Sequence, residues 1–362
     1  MTTEVPVMVG PTGGLIYQSV ESRLPMGGQT QWEGEISYSY PLFTGFRLEG
    51  LKRWKGLEVL KKRLEQENTR RQLILNVTKL YTFLYQLKAQ LKGLKKGLEA
   101  LKKGVEEGEG FYREGLIDRA SLESLKGKYW EVKGRIGRLK GEYRRGLEIL
   151  SGLVRERVKG VEGLPELPSI EPRLERRPDI RALKVALSIG EAQIQMAEGE
   201  GYPQIGLKVW GKRVSEKIGL GESRYFNSDR SGVGVEINWP LFTGGEIEGK
   251  VEEAKIGQLE RGHLYRGYLE EAKRELEADL AQIRGLKREL AGALREVEAR
   301  RVRLAEVEGK FREQLVTGRV LAEAIGKLAE AEGRVGAIQG ALLFWQVKGL
   351  LDSGSWEGNR KK

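Results

Sequence analysis

A six-residue segment recurs in this chain with five of its residues identical. Tyr40-Pro41-Leu42-Phe43-Thr44-Gly45 returns 199 positions later as Trp239-Pro240-Leu241-Phe242-Thr243-Gly244. The same offset carries Arg113-Glu114 onto Arg312-Glu313, Gly127-Lys128 onto Gly326-Lys327, and Gly134-Arg135-Ile136-Gly137 onto Gly333-Arg334-Val335-Gly336. One offset held without a gap from residue 40 to residue 137 means two structurally equivalent halves.

Each half reads in the same order. Short alternating segments come first. Ile205, Leu207 and Val209 alternate with Gln204, Gly206 and Lys208, and Val233, Val235, Ile237 and Trp239 alternate with Gly234, Glu236 and Asn238, across a polar loop around Gly219 to Ser231. In the first half, Ile36, Tyr38 and Tyr40 alternate with Glu35, Ser37 and Ser39, after a candidate strand near Leu15 to Val20. The expectation is two hairpins, four strands. An apolar/polar dyad with aromatics at strand ends suits a barrel with lipid outside and water inside, or an ordinary half-buried sheet.

A long helical hairpin follows in each half. Leu73, Val77, Leu80, Leu84, Leu87, Leu91, Leu94, Leu98, Leu101 and Val105 step by 4 and 3, a heptad seam. Leu122, Leu125, Tyr129, Val132, Ile136, Leu139 and Tyr143 continue it on the return helix. The second half repeats it with Ile283, Leu286, Leu290, Val297, Leu304, Val307 and Phe311, returning through Leu321, Ile325 and Leu328. A helix of about 65 residues is ~100 Å long at ~1.5 Å per residue, which predicts a rod or tube. Between the halves, Leu164-Pro165-Glu166-Leu167-Pro168 and Pro172 mark a connector. Arg177-Pro178-Asp179-Ile180 then starts a helix, with proline near its first position and an acid in its first turn.

Composition narrows the chemistry. With no cysteine, thiolate metal sites, disulfides, thiol nucleophiles and a cysteine lipid anchor are excluded, and the single histidine, His263, reads as a surface helix position. Net charge is +11, yet signs interleave, as in Glu270-Glu271-Ala272-Lys273-Arg274-Glu275, which makes ion pairs along a solvated helix face rather than a nucleic-acid stripe. No run of about 18 apolar residues codes a transmembrane helix. Met1 to Gly14 lacks the basic-then-apolar pattern of a signal peptide. There is no phosphate-binding loop, H-E-x-x-H or dinucleotide turn, and Gly219-Leu220-Gly221 reads as a hairpin loop. Glu106, Glu107 and Glu109 near a hairpin end read as a solvated face before a cation site. The chain is expected to be no enzyme, with no cofactor and no metal.

The chain resembles the TolC-type outer-membrane efflux protein family over residues 13 to 352 or so. The likeness rests on Arg177-Pro178-Asp179-Ile180, Glu191-Ala192-Gln193-Ile194, Tyr202-Pro203, Trp239-Pro240-Leu241-Phe242 with Gly244-Gly245, and Gln314-Leu315-Val316-Thr317, in that order. The resemblance implies a mainly α fold with a small β part: long antiparallel coiled-coil hairpins forming a tunnel, and four strands given to a twelve-stranded barrel shared by a homotrimer in the outer membrane. It implies a passive channel of a tripartite efflux or type I secretion system, its helices in the periplasm. The partners would be outer-membrane lipid, a periplasmic adaptor and, through it, an inner-membrane pump.

The tips that dock the adaptor would be Gly115, Leu116, Ile117 and Asp118, and Gln314 with Leu315, Val316, Thr317 and Gly318. Arg312, Glu313 and Arg319 are gating candidates near the mouth. Tyr40, Pro41, Leu42, Phe43 and Gly45, with Trp239, Pro240, Leu241, Phe242, Gly244 and Gly245, mark the strand-to-helix passage, where proline is expected to end ladder pairing and glycine to allow the bend. The domains would be a first repeat over 1–160 (strands ~13–43, hairpin ~45–158) and a Pro-rich connector over 161–177. A second repeat would follow over 178–352 (helix ~178–199, strands ~202–242, hairpin ~245–351), then a polar tail over 353–362. The first repeat is expected to lack the family's leading helix. Two other readings stay open, a soluble coiled-coil scaffold and a periplasmic adaptor. The chain has 49 glycines, and those inside helical stretches such as Lys92-Gly93-Leu94-Lys95-Lys96-Gly97 cost about 1 kcal/mol each against alanine.

Overall fold

The computed structural model describes residues 2–9, 15–21, 32–215 and 227–356. Residues 13–14, the part of the polar loop at 219–226 that includes Gly219-Leu220-Gly221, and the tail at 357–362 lie outside the described residues. The chain is mainly helical with a small sheet part, as the periodicities predict. It divides into two units, residues 1–48 with 195–249 and residues 49–194 with 250–362.

The first unit holds strands β1 (Thr2–Val9), β2 (Leu15–Glu21), β3 (Trp32–Phe43), β4 (Gln204–Ser215) and β5 (Asn227–Asn238). Among the described residues that is five strands where four were expected, because Thr2–Val9 also forms one. β1 pairs antiparallel with β2, while β3, β4 and β5 form a second antiparallel sheet in that order. Strand β3 therefore joins the second half, with Tyr38 opposite Val209 and Tyr40 opposite Leu207. Among the described residues no ladder joins β2 to β3, so the expected first-half hairpin is replaced by pairing across the repeat. Proline behaves differently in the two halves. Pro240 follows the end of β5, as expected, but Pro41 lies inside β3, and the ladder passes it through an irregularity between Pro41 and Phe43. A proline without an N–H is tolerated on an edge strand at such a bulge.

The second unit is built on helices α1 (Arg47–Arg113), α2 (Arg119–Val154), α3 (Pro178–Gly199), α4 (Glu246–Arg312) and α5 (Gly318–Asp352). Helices α1 and α4 each span 67 residues, about 100 Å. The heptad seams form the core: Leu87, Leu91, Leu94 and Leu101 of α1 meet Leu125, Val132, Ile136 and Leu139 of α2, with Val307, Phe311, Leu321 and Ile325 from the second hairpin. Leu73, the first residue of the predicted seam, is exposed instead. Residues from Arg155 to Arg173 run without helix or strand. They are fastened by the buried Val161, whose N–H donates to the Tyr143 hydroxyl, and by the Tyr81 hydroxyl, which donates to the Glu162 and Gly163 carbonyls.

The helix glycines divide into two groups. Several on α1 and α5 lie where these two helices meet. A Cβ on Gly93 would meet Ala329 and Glu332, one on Gly97 would meet Ile325 and Ala329, and one on Gly336 would collide with the Cβ of Ala89. Close helix approach explains this group. On α2 and α4, Gly127, Gly134, Gly137, Gly141, Gly285 and Gly292 face open space.

Candidate functional site

In the β3–β4–β5 sheet the register sorts side chains onto two unlike faces. One carries Ile36, Tyr38 and Tyr40 from β3, Ile205, Leu207 and Val209 from β4, and Val233, Val235 and Ile237 from β5. Within the chain this apolar face is uncovered: Ile36 is 85% exposed and Val233 72%. The other face carries Glu33, Glu35, Ser37 and Ser39, then Lys208, Trp210 and Lys212, then Arg230, Gly232 and Glu236. Lys212 pairs there with Glu33 at 2.5 Å. A folded protein seldom leaves so large an apolar patch bare unless something covers it.

Both strand-to-helix passages use one turn. Thr44 O accepts from Arg47 N at 3.1 Å, and Thr243 O accepts from Glu246 N at 3.2 Å. The two central residues are left-handed in each: Gly45 (φ 62) and Phe46 (φ 63), then Gly244 (φ 61) and Gly245 (φ 87). Phe46 occupies a conformation that costs a non-glycine residue about 1 kcal/mol or more. Edge-on packing against Phe43 and Tyr202 holds it there. Gly45 is required for a second reason, since a Cβ there would strike the Gly199 carbonyl and Tyr202. Leu42, Leu241 and Phe242 are exposed, Phe242 to 91%. The Trp239 indole N–H donates to the Gly201 carbonyl.

The hairpin ends are likewise a matched pair. Helix α1 closes with Leu116 N–H donating to Phe111 O and Gly115 N–H to Tyr112 O. Helix α4 closes with Leu315 N–H donating to Lys310 O and Gln314 N–H to Phe311 O. This is the six-to-one and five-to-two Schellman pattern, with the left-handed position filled by Gly115 (φ 73) in one copy and Gln314 (φ 60) in the other. The next residues, Leu116 and Leu315, are 44% and 67% exposed. Ile117 and Val316 turn partly inward. Asp118 caps α2 by accepting from Ser121 N, and the Ser121 hydrogen bonds hold its carboxyl below the usual range. Thr317 makes no side-chain cap bond. Gly318 is buried where α5 starts, because a Cβ there would strike Leu125 and the Ser121 carbonyl.

Arg312 lies 3.9 Å from Glu107, and all three gating candidates, Arg312, Glu313 and Arg319, are exposed in the chain. Glu109 pairs with Lys126 and Glu106 with Lys102, so the acids near this end are ion-paired individually. His263 is an exposed helix position.

One cluster went unread in the sequence. Arg71 of α1, Arg177 and Asp179 at the start of α3, Glu275 and Asp279 of α4, and Lys348 and Asp352 of α5 meet inside the second unit. Lys348 Nζ donates to Asp279 at 2.8 Å and to Asp352 at 2.6 Å. Arg71 donates to Asp352 and Asp179, and Arg177 to Asp179 at 2.7 Å. Burial, helped by the neighbouring Asp352 carboxylate and opposed by Lys348, raises the Asp279 carboxyl to about 6. Burial acts on Asp352 and Asp179 too, but their cations win and hold both below the carboxylate range. The signal was present: Asp279 occupies a seam position between Leu276 and Ile283, where an unpaired charge would be untenable.

Residues 170–333 match a family model described as outer membrane efflux protein. Among solved structures, CusC, in a study of folding and transmembrane channel formation, superposes with a TM-score of 0.78 at 18% identity, covering 98% of this chain and 81% of that one. The outer membrane protein VceC of Vibrio cholerae gives 0.77 at 20% identity, covering 98% and 85%. The open-state MtrE outer membrane channel of Neisseria gonorrhoeae gives 0.71 at 19%, covering 91% and 80%. No curated protein matches the chain. The resemblance drawn from residue motifs is thus met by both a family model and the fold.

Proposed function

From a chain whose residues 170–333 carry the outer membrane efflux protein pattern, and whose fold is that of outer-membrane channels, we propose that it is one subunit of an outer-membrane channel-tunnel serving a tripartite export system. The observation that carries the reading is the two-faced β3–β4–β5 sheet, bare and apolar on one side, charged and polar on the other. In a bilayer every backbone polar group needs a partner, so a sheet can span only as a closed barrel. These strands cannot close alone and would leave open edges, so copies must complete one another. A homotrimer, lipid outside and water inside, satisfies both demands.

The helical hairpins would then form the tunnel wall in the periplasm. The exposed Leu116 and Leu315, presented by matching turns, would meet a periplasmic adaptor coupled to an inner-membrane pump. No helix among the described residues is long and apolar enough to cross a membrane, which says nothing of the barrel. The chain would supply a passive conduit, with energy from the pump. A soluble scaffold leaves the bare apolar face without purpose. Fractionation tests the reading: the protein should stay with outer membranes through a urea wash and leave only with detergent. A stable monomer in plain buffer would overturn it.

A further inference from the structure

The internal repeat makes a prediction about the open glycines. Within one chain, α1 and α5 pack through small residues: Gly333 lies against Gln90, Gly336 against Ala89, and Gly340 against Gln86 and the Thr82 carbonyl, while Gly93 faces Glu332. The 199-residue offset converts α1 into α4 and α5 into α2. Gly333, Gly336 and Gly340 become Gly134, Gly137 and Gly141, and Gly93 becomes Gly292. All four converted positions are glycine, and all four meet nothing within 4 Å in the chain. One half of the repeat has its seam filled, and the other half has the same seam empty on both helices.

We infer that the glycine face of α2, Gly134, Gly137 and Gly141, receives helix α4 of a second copy of this chain along Gly285 and Gly292. This rests on the reading of the chain as a subunit of a ring, and adds which surfaces meet. The empty stripe alone would not name its occupant. The filled stripe at the equivalent place does, because the helix that fills it has an equivalent in the same sequence, α4, whose glycines at that place, Gly285 and Gly292, meet nothing within 4 Å. A contact between two different surfaces is head-to-tail, and such contacts either close into rings or run on as filaments. Charges fit the match. Glu296 takes the place of Gly97 and so faces the positions of Lys126 and Trp130, the latter 62% exposed in the chain. Lys133, set over Gly292, is flanked on α4 by Glu289 and Glu296, beside Arg295; within the chain these two acids share Arg334, so Lys133 would join an existing pair.

Because the chain has no cysteine, the geometry can be read directly by crosslinking. A Cβ on Gly333 would lie 4.0 Å from the Gln90 Cβ, and one on Gly93 would lie 3.5 Å from the Glu332 Cβ. Both fall in the range of a disulfide, about 3.5–4.5 Å. The offset carries these pairs to Gly134 with Glu289 and Lys133 with Gly292. Oxidised in its membrane, the Gly134→Cys/Glu289→Cys protein should run as covalent multimers that a reductant dissolves, and Lys133→Cys/Gly292→Cys should do the same. The control Gln90→Cys/Gly333→Cys should close within one chain, and each single variant should stay monomeric on the gel. If both test pairs give only monomer while native mass still shows a multimer, the inference is wrong and the channel reading stands. If the native mass is that of one chain, the channel reading itself fails.

Discussion

Replacing Asp279 with asparagine should flatten a pH dependence of stability expected of the wild type between about pH 4 and 6. Asp279 is 2% exposed, on a helix seam, with Lys348, Asp352, Glu275, Arg71, Arg177 and Asp179 gathered in the same cluster. Its carboxyl is raised from the ordinary 3.8 to about 6, chiefly by burial. A shift of that size corresponds to roughly 3 kcal/mol at ~1.4 kcal/mol per unit. Because the folded value lies above the unfolded one, the stabilising contribution is complete below about pH 3.8. It is lost as pH rises towards 6, where the folded chain must give up a proton the unfolded chain has already released. Asp179 and Asp352 are held low and act oppositely, their contribution disappearing only as pH falls beneath their ordinary range. Urea unfolding of both proteins in detergent, followed by helical circular dichroism from pH 4 to 7, isolates Asp279 in the difference. The wild type should lose up to about 3 kcal/mol relative to Asp279→Asn across that window, leaving the variant no less stable at pH 7. Parallel curves, with the variant several kcal/mol weaker throughout, would show a permanently charged carboxylate and refute the reasoning.

Arg177→Met should cost about 3–5 kcal/mol in the same assay, since Asp179 and Asp352 lose a buried counter-charge; an unchanged midpoint would deny the cluster a structural role. Gly336→Ala must displace Ala89 and should cost about 1–3 kcal/mol, whereas Gly110→Ala, with open space around it, should gain up to about 1 kcal/mol. Ile237→Lys, on the bare apolar face, should impair membrane insertion by about 2–4 kcal/mol, while Glu236→Lys on the opposite face should insert normally; equal insertion would mean the face does not meet lipid. Leu116→Asp with Leu315→Asp should leave the folded multimer intact and abolish crosslinking to the adaptor.

Much of this architecture could be read before any coordinates because it is periodic. The steps of 4 and 3 through Leu84, Leu87, Leu91, Leu94 and Leu101 locate a buried seam, and the duplicated Pro-Leu-Phe-Thr-Gly locates two equivalent turns. What escaped is not periodic. The pairing of β3 with β4 joins residues some 170 apart, and no local pattern encodes which edge a strand chooses. Pro41 remained inside its strand because one strand edge can do without an N–H, a fact of topology rather than of residue type. The charged cluster draws on four helices, so its members look like ordinary surface charges until Asp279 is seen to occupy a seam position. The helix glycines looked only costly, because their benefit lies on a neighbouring helix.

Native mass spectrometry of the detergent-extracted protein tests the central claim most directly. Two incomplete half-units per chain, with bare sheet and helix faces, predict a particle of three 40.7 kDa chains that persists at low micellar concentration. A particle of one chain, stable and helical without detergent, would contradict it.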